Sequence, residues 1–594
     1  MWTHGASRKD FPAAVMKRTS DEVFNAWLKE LYRGWGEAGI GGRAWPWALT
    51  GGKELFHNQV KTYNTKVPFF THNSDHGRTA RKNNAKLVTP YSDHAVSIND
   101  PEYRKAVCNF IKGFAAGRHG DLMKQTVKLG MGPDEPSNNY HNYYDPAVNK
   151  HGAEFLAEVD KDIRKNYGFG KFGTPFAGNV AEKDQPFSRI AFYRYWNNEL
   201  RTSLKLFQEA FRAAVPNTPY HLMTDNNVSG QSIVDIANLS DLAENIACDP
   251  YPTSTAASYS MARAIYHTGF STKVLHDLAY NSRIITMPQC FIYHGRHGDK
   301  HDMREWASQA LKNGASHLFW YCGNAPWEIF DDYAYMLEIS KQVKNMDKLV
   351  LPESTKTLVW YSNFDKWAKN DFAQHALYSV YTLLGEGVKS NFRIISDTTV
   401  SKGQVKLADY KLLYVPVMNY TTPEISAELL KWVENGGIMV VFDPKFMMYN
   451  IDGTLNKVRV KLVGCNVPDK VKALKSCNLT YQGKVLNVSA VANTVPPKGS
   501  FYESFVMPEI SGGKVLMTYA DKTPAAVERK VGKGKVIYFA IQPFAGSELA
   551  LTPQAWNNFF AANARAVGEK TDLAIWDFLL PEVKPTIKLK KIIK

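Results

Sequence analysis

Long apolar runs are the first thing this chain lacks. No stretch of about 18 consecutive apolar residues occurs in it, so nothing reads as a membrane-spanning helix and no membrane partner is expected. Cysteine is scarce for 594 residues: there are six, Cys108, Cys248, Cys290, Cys322, Cys465 and Cys477, with no CxxC pair. That pattern supports neither a disulfide framework nor a zinc site. Cys248, Cys290 and Cys322 sit in apolar runs and read as small buried hydrophobes. A local bridge between Cys465 and Cys477 is left open. No glycine-rich nucleotide loop follows an early strand, which weakens the alternative of an open doubly wound sheet. No basic run is interleaved with aromatics, so no nucleic-acid partner is expected. The opening Met1-Trp-Thr-His does not read as a signal peptide, and the compartment stays open. Internal repeats and low-complexity tracts are also absent.

Aromatic side chains and positive charge are present in excess. Aromatics make up 13% of the chain, with 14 Trp and 30 Tyr, and the formal net charge is +15. Exposed rings suit the apolar faces of sugars, although a large α/β core also uses many aromatics. A basic surface favours polyanions. The densest cluster is the tail, with Lys584, Lys588, Lys590, Lys591 and Lys594. A solvated, frayed terminus is its plainest reading.

The length predicts more than one domain. Up to about residue 352 the sequence alternates apolar strand-like runs with helical periods. Helices are expected over 20–37, 101–117, 187–214 and 302–313. Strands are expected over 66–71, 127–131, 221–226, 245–249, 284–291 and 317–321. Several of these runs stop at polar residues: His72 after Phe69-Phe70, Asp134-Glu135 after Val127 to Met131, Asp225-Asn226, Asp249-Pro-Tyr251-Pro, and Gln289. Strand, polar end, helix is the rhythm of a (β/α)8 TIM barrel, which presents its chemistry at the C-terminal ends of the strands. Residues 1–352 are therefore read as a barrel.

From about residue 353 the pattern restarts. Strands are expected over 356–361, 408–417, 438–442 and 535–540, and helices over 371–385, 422–435 and 552–569. Thr422-Pro423 is an N-cap signal and Gly436-Gly437 a stop. This is a second α/β domain over 353–580 with a parallel sheet and a strand-rich insert near 445–530. Residues 581–594 form a basic tail.

The runs Ala408-Asp-Tyr-Lys-Leu-Leu-Tyr-Val-Pro, Ile438-Met-Val-Val-Phe and Gly532-Lys-Gly-Lys-Val-Ile-Tyr-Phe resemble the trimerisation domain of the glycoside hydrolase family 42 β-galactosidases. Asp249-Pro-Tyr-Pro252 is similar to a motif at the sixth strand of that family's barrel, and Glu135 falls where the family has its acid/base. The family usually has Asn before that Glu; this chain has Asp134. The resemblance implies a flavodoxin or class I glutamine-amidotransferase-like fold for the second domain, a homotrimer, retention of anomeric configuration and no cofactor. An amidotransferase would need a Cys in an elbow after a strand; Phe442-Asp-Pro-Lys offers none.

A retaining glycosidase needs two carboxyl groups about 5 to 5.5 Å apart, one as acid/base and one as nucleophile. Glu135 fills the first place. The second place, at the end of the seventh strand, holds Gln289, whose amide cannot form a glycosyl ester. Three readings stay open. Gln289 is a change introduced to trap substrate; or another acid such as Glu328, Asp249 or Asp225 supplies the chemistry, for instance by an inverting route; or the barrel binds carbohydrate without cleaving it. Gln289 can also be a plain strand-end amide hydrogen-bonded inside the barrel.

The expected substrate contacts are His72, Asp134, Asn226, Asp249, Tyr251, His294, Arg296, Trp320, Trp327 and Glu328. His294, His297, Asp299 and His301 look superficially like metal ligands, but their spacing matches no zinc signature, and no metal is expected. A basic rim for sugar hydroxyls or a sulfate, with Arg296 as a fork donor, stands beside a plain surface loop. The expected partner is an oligo- or polysaccharide, a sulfated or acidic galactan if the charge is functional.

Overall fold

The computed structural model describes residues 21–38, 104–105, 108, 112, 130–131, 153–176, 178–214, 216, 220–224, 233–252, 265–292, 296–321, 329–352, 355–369, 372–466, 478–487, 510, 512–544 and 554–591. The expected strand at 66–71 and the aromatic stretch before it lie outside these residues.

Five strands form one parallel sheet in strict chain order: β1 (Gly130–Met131), β2 (Tyr220–Met223), β3 (Asn245–Cys248), β4 (Arg283–Thr286) and β5 (His317–Leu318). Registers run Met131 to His221, Leu222 to Ile246, Ile246 to Ile284 and Ile285 to His317. An open doubly wound sheet would reverse its order at a switch point; this arc never does, as a barrel wall requires. The strands are short apolar runs because both faces are covered. Side chains alternate across them. Met223, Ala247, Ile285, Met287 and Phe319 share an inner cluster. Ile246, Cys248 and Ile284 face outward and pack with Phe270, Val274 and Leu275.

The helices around the arc are α1 (Asp21–Ala38), α2 (Ala153–Asn166), α3 (Gln185–Ala214), α4 (His267–Leu278), α5 (Lys300–Lys312) and α6 (Phe330–Asn345). Asp299 starts α5 as the N-cap of a capping box with Asp302. Met303, Trp306, Ala307 and Ala310 are the buried face of α5.

The second sheet has nine strands. Its parallel half is β6 (Thr357–Tyr361), β7 (Arg393–Ser396), β8 (Leu412–Val415) and β9 (Ile438–Val441), joined at the far side by the strand Gly534–Phe539. The antiparallel half is β10 (Asn478–Tyr481), β11 (Lys484–Asn487), β12 (Gly513–Thr518) and β13 (Pro524–Val531), which pairs with β14 (Gly534–Phe539). The spatial order is β7-β6-β8-β9-β14-β13-β12-β10-β11. Helices α7 (Phe372–Thr382), α8 (Pro423–Glu434) and α9 (Gln554–Ala566) flank it. Thr422 caps α8 through Ile425 N, with Pro423 in the first turn. Gly436, at φ +114°, ends that helix in a conformation that L side chains rarely adopt. A Cβ at Gly534 would fall 2.1 Å from the Val433 carbonyl oxygen, so β14 can lie against the end of α8 only with glycine there.

The arc and the second sheet are bonded together. The buried Asp277 of α4 accepts from Ile394 N of the edge strand β7 at 2.7 Å. Lys366 and Trp367, after β6, donate to the carbonyls of Val234 and Ile233. The basic tail corrects the expectation of a frayed terminus. Residues 578–591 run back over α5, α6 and α1: Arg304 donates to the Leu580 carbonyl, Glu338 accepts from Thr586 and Ile587, and Glu30 accepts from Lys590 N. Leu580 and Ile587 are buried. The lysines stay outside while the interleaved apolar residues anchor the strap.

Candidate active site

The C-terminal ends of β2 to β5 bring one set of side chains to the mouth of the arc. The alternation that points Ile285 and Met287 inward continues to Gln289; that of Ala247 continues to Asp249 and Tyr251; that of Phe319 continues to Tyr321. Tyr251 and Tyr321 pack on the inner cluster as its half-buried upper layer. The main chain keeps this register past the strands: Met287 N donates to Cys248 O at 2.8 Å, Phe319 N to Thr286 O at 2.9 Å and Cys290 N to Tyr321 O at 2.8 Å. Gln289 and Tyr321 form a parallel bridge. Thr224, at the end of β2, donates from both its N and its Oγ1 to the Ala247 carbonyl.

Gln289 is 1% exposed, and its Nε2 donates to the Phe291 carbonyl at 2.9 Å. Three rings meet beside it. Phe291 lies edge-on to Tyr321 at 4.7 Å and to Tyr251 at 5.2 Å; Tyr251 and Tyr321 are 5.7 Å apart. Tyr251 Oη donates to Met287 Sδ at 3.4 Å. Asp249 is buried at the same level. Cys248, one residue earlier, points outward, and burial together with the Asp249 charge pushes its thiol well above the usual range. It is an inert core thiol.

The arrangement sets amide, carboxylate and phenol groups above an apolar plug, the amide and carboxylate buried and the two phenols half-buried. Glu135, Asp134, His72, Asn226, His294, Trp327 and Glu328 lie outside the described residues. Trp320 lies apart from this set. It falls on the opposite parity from Phe319 and Tyr321, is 3% exposed, and belongs to a buried cluster with Cys290, Met303, Trp306 and Tyr333 behind the sheet. It packs the wall against α5 and α6. Phe291, Tyr321 and Thr224 were not singled out from the sequence. Alternation could have found Tyr321, had the inward parity of Phe319-Trp320-Tyr321 been known.

Arg296 is exposed on the loop before α5. Asp299 caps α5: its carboxylate accepts from His301 N and Asp302 N, and those bonds, Asp302 first, hold it below the usual range. His297 Nε2 lies 3.5 Å from Asp332. Among the described residues no group of three or more His, Cys, Asp or Glu is placed to hold a metal ion. Where an amidotransferase elbow would follow β9, the chain has Asp443. It accepts from Met418 N and Lys445 N, and burial reinforced by Asp365 pushes it up to about 7. Cys465 is a free thiol.

Residues 393–563 match the β-galactosidase trimerisation domain family. Among solved structures the fold is similar to a catalytic mutant of Gan42B, a GH42 β-galactosidase from G. stearothermophilus, at 14% identity over 92% of this chain and 86% of that one, with a TM-score of 0.63. It is also similar to β-galactosidase from the psychrophilic Marinomonas ef1 (12% identity, 95% and 91% covered, TM-score 0.64) and from Bacillus circulans sp. alkalophilus (14%, 95% and 88%, 0.61). No curated protein matches the chain. At these identities the likeness carries the fold, a TIM barrel with further α/β structure. The chain is GH42-like in fold: a barrel followed by a region whose residues 393–563 match the β-galactosidase trimerisation domain family.

Proposed function

We propose that this protein is a glycoside hydrolase acting on a galactoside or a related glycan. Glu135 would be the acid/base, and position 289 occupies the place of a retaining nucleophile. The observation that carries this reading is the shared inward parity of Asp249, Tyr251, Gln289 and Tyr321 at the C-terminal mouth of the arc, the face on which barrel enzymes do their chemistry. The similarity to structures named β-galactosidases supports it. Other rim contacts would come from His72, Asp134, Asn226, His294, Arg296, Trp327 and Glu328. The formal charge of +15 supports a sulfated or otherwise acidic galactan as substrate. The trimerisation-domain match supports a homotrimer, with the barrel at 1–352 and the assembly domain at 353–580. The parallel strands β7-β6-β8-β9-β14 support a flavodoxin- or amidotransferase-like topology for that domain, used without its amidotransfer chemistry.

A second reading is favoured by one specific observation. The Gln289 amide is engaged with a main-chain carbonyl and has no anionic oxygen to attack an anomeric carbon. The barrel would then bind glycan without cleaving it, or cleave it by an inverting route with another acid such as Glu328. A glycan titration with the native chain and a Tyr321→Ala variant tests the site itself. Saturable binding that weakens at least tenfold in the variant supports the mouth as the sugar site; unchanged binding removes it. Sugar release in the same samples separates the enzyme from the binding protein.

A further inference from the structure

We infer that residues 578–591 are a latch on the seam of the barrel. They tie α1, the chain's first helix, to α5 and α6 at the other end of the arc, so that lifting the strap frees α1 while the rest of the wall stays folded. The inference concerns how the barrel opens and does not depend on what its mouth binds.

The seam is where a barrel built in chain order meets itself, so the helix after the last strand lies beside the first helix. Here α6 follows β5, and α1 packs on it. Leu31 and Ala38 are buried in one cluster with Tyr333 and Leu337, and Trp35 Nε1 donates to Tyr333 Oη. Helices draw most of their stability from such packing, so what holds α1 down decides whether it forms.

The strap crosses this seam with its main chain paired at each step. It leaves the second sheet at Trp576, which stacks on Phe392 at 5.9 Å and whose carbonyl accepts from Lys312 Nζ of α5 at 2.9 Å. On α5, Leu580 N donates to Ser308 Oγ at 2.9 Å and Arg304 Nε to Leu580 O at 2.5 Å. On α6, Gln342 Nε2 donates to Pro581 O at 3.1 Å. Glu338 then accepts from Thr586 Oγ1 at 2.7 Å and from the N–H groups of Thr586 and Ile587. On α1, Arg33 Nη2 donates to Lys588 O at 2.5 Å and Glu30 Oε1 accepts from Lys590 N at 2.7 Å.

The strap has no helix or strand of its own, so these side chains supply the partners that its main chain needs. Pro581 and Pro585 need none at nitrogen, and their fixed φ limits the freedom lost on docking. Leu580 and Ile587 are buried, and Leu589 lies over Gly34, where a Cβ would fall 2.6 Å from Leu589 Cδ2. One continuous segment thus bonds three helices in the order α5, α6, α1. Of these, α5 runs between β4 and β5 and α6 between β5 and β6, whereas the next described strand after α1 begins only at Gly130. Among the described residues, the buried apolar side chains of α1 all belong to the cluster that Leu580 and Ile587 complete. α1 is therefore the element with most to lose when the strap lifts.

The test is amide hydrogen exchange of the full-length native chain, Glu338→Ala and Ile587→Asp, read by mass spectrometry without ligand. Peptides from 578–591 report whether the strap has lifted, peptides from 21–38 report α1, and peptides from α4 and β9 report the rest of the fold. The expected result is exchange faster by on the order of tenfold in the strap and in α1, with α4 and β9 unchanged. Ile587→Asp, which puts a charge into the apolar cluster, should show it more strongly than Glu338→Ala. If Ile587→Asp fails to fold, Glu338→Ala decides. A lifted strap over an unchanged α1 would overturn the inference. Equal acceleration of α1, α4 and β9 would overturn it too, because the strap would then be ordinary core packing. So would a strap that stays protected in every folded variant, since the contacts named would not be what holds it.

Discussion

Replacing Asp277 with asparagine should destabilise the protein by about 2 kcal/mol at pH 7 and by about half as much near pH 3. Asp277 belongs to α4 of the barrel arc, yet its carboxylate accepts from Lys273 Nζ at 2.7 Å, from His276 Nδ1 at 2.8 Å and from Ile394 N of the second sheet at 2.7 Å. Burial raises the carboxyl pKa, but the Lys273 ammonium, the His276 ring and the Ile394 N–H outweigh it and hold it at about 2. Against an ordinary value near 3.8 that is somewhat under two units, or about 2 kcal/mol at about 1.4 kcal/mol per unit. The folded value is depressed, so this stability is present above the unfolded pKa and is lost as pH falls from about 4 towards 2. Asparagine would also leave Lys273, only 12% exposed, without its anion. Urea midpoints for both proteins at pH 7 and pH 3 measure the effect. A destabilisation of the same size at both pH values, or none at pH 7, would refute the charge argument.

Two further outcomes follow from the wall and the strap. Trp320→Ala should lower stability by about 3–5 kcal/mol through the cavity it opens behind β5, while the folded fraction keeps its glycan affinity; denaturation and titration of one preparation check both. Glu338→Ala removes the acceptor for Thr586 N, Thr586 Oγ1 and Ile587 N, so proteolysis at the C-terminal strap should become fast while the core stays resistant.

The second sheet was legible because its cues are local. Residues 357–361 and 412–415 are apolar runs buried at every position, and Thr422-Pro423 with Gly436 mark both ends of α8. The helix α4 escaped notice because His267-Thr-Gly-Phe-Ser-Thr is weakly helical by propensity. Its His267, Thr268, Ser271 and Thr272 are buried by tertiary packing instead. At the site, Asp249, Tyr251 and Gln289 were readable as strand ends. Which ring of Phe319-Trp320-Tyr321 turns inward depends on the parity of a two-residue strand, which composition cannot set. The bond from Gln289 to Phe291 O involves a main-chain carbonyl, and no side-chain pattern announces it. In the tail the lysines dominated the reading, whereas Leu580 and Ile587 decide where it lies.

Sugar release by the native chain and by Glu135→Gln, compared on aryl β-galactosides and sulfated galactan oligosaccharides, tests the central claim most directly. With the second carboxyl group supplied by an acid other than residue 289, such as Glu328, the account predicts turnover by the native chain that falls at least a hundredfold in the variant, the usual weight of a general acid. Equal turnover by both proteins, or saturable binding with no sugar released by either, would contradict it.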